Sequence, residues 1–106
     1  MSTDGYFREK LGNGVGCLVG LGDIKSRVRN AFFAMPTVSP QGFSNPELGA
    51  AWSDIYARIT RETAVATEGT INATLEKMTD EDAAEIARDL VELYSKLLRE
   101  AKDPYA

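Results

Sequence analysis

The sequence contains no histidine and one cysteine, Cys17, among its 106 residues. Without histidine there is no Ser–His or Cys–His pair, no imidazole base titrating near neutrality, and no His-ligated zinc, haem or di-iron site. A solitary cysteine forms no intrachain disulfide and no thiolate cage, and gives no sign of an oxidising compartment. Long apolar runs are missing too. Nowhere do about 20 apolar residues follow one another, and the N-terminus lacks the basic stretch and apolar run of a secretory signal. These absences lead to the expectation of a cytoplasmic, non-enzymatic chain with no metal or other cofactor and no membrane contact.

The composition, 43% hydrophobic and 26% charged, is that of one globular domain too small for separate substrate and cofactor domains. The formal charge of −4 is unevenly spread. Residues 1–53 sum to +1 and residues 54–106 to −5. The acidic half repels phosphate backbones, so direct nucleic-acid binding is not expected.

Helical periodicity dominates the second half. Thr79 followed by Asp80, Glu81 and Asp82 reads as a capped helix start, and Pro104 as a stop, with Lys96, Arg99 and Lys102 at the electronegative end. Between them Ala83, Ala87, Leu90, Tyr94, Leu97 and Ala101 form a heptad seam, widened by Ile86, Val91, Leu93 and Leu98. A second helix begins near Ser44 or Asn45, where Pro46 suits the first turn, and carries Leu48, Trp52, Ile55 and Ile59 as its stripe. The pattern places a break in it near Gly69, followed by a short helix over about 70–78. A shorter helix covers Ile24 to Ala34, capped by Asp23, and the prolines at 36, 40 and 46 make the intervening stretch a loop.

Residues 1–22 form a glycine-rich segment in which Gly14, Gly16 and Gly20 imitate a phosphate-binding loop. The context does not suit a dinucleotide fold, because Arg8, Glu9 and Lys10 occupy the place of the preceding buried strand. Five glycines between Gly12 and Gly22 cost a free helix about 1 kcal/mol each, so the segment is expected to be irregular, with helix forming only against another surface. Val15, Leu18, Val19 and Leu21 are too apolar for an idle tail, and Lys25 and Arg29 add charge beside them. These six residues are the candidate interaction surface.

Other features have simple explanations. The hydroxyl stripe Ser53, Tyr56, Thr60, Thr63, Thr67, Thr70 and Thr74 reads as a polar face of the second helix, and Glu81, Glu85, Asp89 and Glu92 as a solvated charged face rather than metal ligands. The expected architecture is all-α: an antiparallel pair of long helices with one short helix across it, residues 23–106 forming the domain and dimerisation completing a bundle. The homo-oligomer interface is expected to use Trp52, Ile55, Ile59, Leu90, Leu93, Tyr94, Leu97 and Leu98. The function expected is that of a small interaction or regulatory protein working through protein–protein contacts. The alternatives are an acidic inhibitor or accessory subunit of a nucleic-acid-processing complex and, more remotely, a small-ligand or anion-binding domain.

Overall fold

A computed structural model describes residues 4–63 and 69–102, and these are helical throughout their regular elements. The order is α1 (Asp4–Leu18), α2 (Ile24–Phe33), a single 3-10 turn (Pro40–Gly42), α3 (Pro46–Ile59), α4 (Thr70–Lys77) and α5 (Asp80–Lys102). Among the described residues no strand occurs, and no helix is long and apolar enough to cross a membrane.

The expected caps explain three of the helix starts. Asp23 accepts a hydrogen bond from the Ser26 backbone N–H at 2.8 Å, Asn45 from that of Glu47 at 2.9 Å, and Thr79 from that of Asp82 at 3.1 Å. At α5 the residues buried to within 2% exposure are Ala83, Ile86, Leu90, Leu93 and Leu97. Their spacing of 3 and 4 matches the expected period, but the inward row is rotated from the expected seam. Ile86 and Leu93 point inward, while Ala87 and Tyr94 lie at the margin and Val91 is 40% exposed.

Two expectations are corrected. Most of the glycine-rich segment is helix α1, and only Val19–Gly22 within its described part is irregular. The helix forms against α2 and α5, burying Phe7, Leu11 and Leu18 in the common core. Two of its glycines sit where neighbours come close: a Cβ on Gly14 would lie 2.6 Å from the Met35 sulfur, and one on Gly12 2.9 Å from the Tyr94 hydroxyl. Burial of three large apolar side chains, each contributing about 1.5–3 kcal/mol, offsets the helix cost of the glycines.

The second correction concerns the helix that was expected to run on to Gly69. It ends at Ile59. The Thr60 hydroxyl bonds the Tyr56 carbonyl at 2.6 Å, and the Glu62 N–H donates at 3.0 Å to the hydroxyl of fully buried Thr74, which itself donates to the Thr70 carbonyl at 2.9 Å. The hydroxyl stripe therefore does not follow one helix. Thr60 closes α3 and Thr74 ties the connection to α4, with Thr67 outside the described residues. Across the molecule, Asn45 at the start of α3 donates to Glu100 near the end of α5, and Arg58 near the end of α3 donates to Asp89 midway along α5.

Candidate interaction surface

The residues expected to join two copies lie mostly inside one. Trp52, Ile55, Ile59, Leu90, Leu93 and Leu97 are each exposed by 2% or less and belong to a core shared with Leu11 of α1 and Val28 and Phe32 of α2. Tyr94 and Leu98 are half-buried, and the Tyr94 hydroxyl lies over Gly12 of α1. The physical reason is that these faces have neighbours within the same chain: α1, the segment expected to be irregular, packs as a helix on α2 and α5, while α3 packs on α5 and sets Trp52 against Phe32 of α2.

The six expected interaction residues divide into two groups. Leu18 is buried at the end of α1, and Val15 is half-buried on the same helix. Val19 and Leu21 stand almost free on the turn to α2, 84% and 98% exposed. Two local features hold that turn: Gly22 adopts φ +106°, a conformation that disfavours a side chain, and the Arg27 guanidinium donates at 3.0 Å to the Leu18 carbonyl, closing the end of α1. Beside the turn lies a shallow groove of about 410 Å³ lined by Leu18, Ile24, Ala87, Arg88, Val91 and Glu92. Its lining is mainly apolar, with Arg88 and Glu92 as the two charged members.

Lys25 and Arg29 are not part of this surface. They line a separate groove with Asp23, Ser26, Asn72, Leu75 and Glu76, facing α4. Arg27, between them in sequence, points the other way, as helical geometry requires, and caps α1. The Ser26 N–H bonded to Asp23, with Arg29 and Lys25 nearby, holds the Asp23 carboxyl below its ordinary range.

Sequence reasoning missed Ile24, Ala87 and Val91 as surface residues because all three fit the period of buried stripes. The signal available was the breadth of the apolar arc on α5, wider than one seam can bury. A second apolar depression, between Phe33, Pro36, Val38, Tyr56 and Ile71, exposes Phe33 by 55% and Tyr56 by 45%, with Tyr56 stacked on Trp52 at 5.8 Å between ring centroids. A third, polar one between α3 and α5 is occupied by the chain's own ion pairs. There Arg58 is shared between Asp89 and Asp54, its Nε lying 3.3 Å from the Asp54 carboxylate without the alignment of a hydrogen bond. Among the described residues, no three His, Cys, Asp or Glu side chains are grouped to hold a metal ion, and Cys17 is a half-buried free thiol. No protein-family model matches the chain, and no curated protein or solved structure is similar to it.

Proposed function

We propose that this chain is a non-catalytic interaction protein of the cytoplasm, regulatory in role, that docks through the α1–α2 turn and the groove between that turn and α5. One observation carries the reading. Val19 and Leu21, held out at 84% and 98% exposure by a closed turn, adjoin an apolar groove of the same molecule. Large aliphatic side chains in that situation lose little conformational entropy when covered and bring about 1.5–3 kcal/mol each on full burial. Self-association, expected from the wide apolar faces of the sequence, is assigned in this reading to the outside of α5 and not to the seam inside the chain.

The test is site-specific photo-cross-linking in the native host, with the reactive group at position 21 and, as control, at the exposed Arg61. A discrete adduct from position 21 that is absent from position 61 and lost with Val19→Asp supports the docking surface. Equal or absent adducts at both positions would remove it. An adduct with a nucleic-acid-processing subunit would turn the reading toward the acidic accessory protein.

A further inference from the structure

We propose that the occupant of this surface is a second copy of the chain, docked across a two-fold axis with the two α5 helices antiparallel. The proposal rests on the docking surface described above and adds the identity of its partner. It is carried by the order of charges on the outside of α5. Asp89 and Glu100 are engaged by Arg58 and Asn45 of the chain's own α3 side. Of the other exposed charges, Asp80 stands at the helix start on a different side, and six share one side: Glu81, Glu85, Arg88, Glu92, Lys96 and Arg99. At 3.6 residues per turn they fall within an arc of about 80°, opposite the buried row from Ala83 to Leu97.

Along the helix the signs of these six run minus, minus, plus, minus, plus, plus. Read backwards, every sign is inverted. Glu81 mirrors Arg99, Glu85 mirrors Lys96 and Arg88 mirrors Glu92, all about a midpoint at or next to Leu90. An antiparallel two-fold at that level sets each charge against its opposite in the other copy, whereas a parallel arrangement sets like against like. The arrangement is therefore self-complementary in one orientation only. Glu92 holds its own Lys96 at 3.3 Å through one carboxylate oxygen, which leaves the other for Arg88 of the second copy.

The same level is that of the groove, since Ala87, Arg88, Val91 and Glu92 are among its lining. A two-fold there brings both grooves and both α1–α2 turns to the middle of the contact along the helix axis, on one flank of the charged stripe, because Ala87 and Val91 lie about 100–140° round α5 from its middle. Val19 and Leu21 of each copy then cover apolar surface on the other, beside the Arg88–Glu92 pairs. Exposed ion pairs contribute little affinity but set register and orientation, and the apolar flank supplies the driving force.

The experiment is sedimentation of the full chain over micromolar to millimolar concentrations, with circular dichroism to confirm folding of each variant. The wild type is expected to dimerise. Arg88→Glu and Glu92→Arg, both surface changes, should each weaken the dimer by about tenfold or more, because each sets like charges together. Mixed in equal amounts the two variants should form a heterodimer, since every pair between positions 88 and 92 is then of opposite sign. Leu21→Asp should also leave the chain folded and weaken the dimer. A wild type that stays monomeric at millimolar concentration overturns the second copy as partner, while the cross-linking at position 21 still decides the docking surface independently. A dimer indifferent to the charge exchanges, with no preference for the mixed pair, overturns the α5 geometry.

Discussion

Arg27 of α2 reaches back to the carbonyl oxygen of Leu18, the last residue of α1, at 3.0 Å. That contact makes one side chain both the closure of a helix end and the brace of the only turn that lifts Val19 and Leu21 clear of the domain among the described residues. Without it, the α1 C-terminus would rely on the two weak turns Val19 to Gly16 and Gly20 to Cys17, at 3.3 and 3.2 Å.

Arg27→Ala is accordingly expected to destabilise the chain by about 1.5–3 kcal/mol, the range for a hydrogen bond that involves a charged group. Amide exchange from Val15 to Leu21 should accelerate more than exchange in α5. Urea unfolding together with exchange measured by NMR checks both. A uniform acceleration across the chain would mean that Arg27 does not act locally.

Leu97→Asp should unfold the chain instead of separating copies of it. Leu97 is 1% exposed within the core, so the substitution buries a carboxylate with no partner and removes a packed aliphatic side chain. Together these cost about 4 kcal/mol or more, a large part of the stability of a small domain. Circular dichroism and light scattering distinguish the outcomes: lost helicity is expected, and a folded monomer would place Leu97 in an interface after all.

Removal of residues 1–22 is expected to produce an unfolded or aggregating chain. The deletion strips Phe7, Leu11 and Leu18 from the core, about 5–9 kcal/mol of burial at the usual value for a large apolar side chain. A truncated chain with an unchanged melting temperature would show that α1 is dispensable for the fold.

Stability should fall in acid partly through Asp23. Its carboxylate is lowered below the ordinary range by the Ser26 N–H, the Ser26 hydroxyl and the nearby Arg29 and Lys25. A group with a lowered folded-state value contributes stability that is fully present above its unfolded value and is lost as pH falls through the folded one. Asn caps a helix start as a neutral acceptor, as protonated Asp does, but it does not titrate and brings no negative charge to the Ser26 N–H, Arg29 and Lys25. Asp23→Asn should therefore leave the melting temperature near its wild-type value in acid and flatten its rise toward neutrality. Thermal melts of both proteins across the acid range are the check, and parallel curves would contradict the role of Asp23.

What local chemistry determined in this protein is its set of helix boundaries with strong punctuation. Asp23, Asn45 with Pro46, and Thr79 each begin a helix because a short polar side chain satisfies an N–H that the helix leaves free, an interaction spanning two or three residues and readable without tertiary context. The 3 and 4 spacing of apolar residues on α5 likewise follows from helix geometry alone. Tertiary structure decided the rest. Gly12 and Gly14 weigh against helix in isolation, and α1 forms only because α2 and α5 supply a surface for Phe7, Leu11 and Leu18. With α1, α2 and α3 all packed on α5, the seam that read as an interface is the inside of one molecule. Val91 and Leu21 acquire their exposure from where the α1–α2 turn lies, a long-range relationship that no periodicity encodes. The stop at Ile59 belongs to the same class, since the buried Thr74 hydroxyl that receives the Glu62 N–H comes from a different helix.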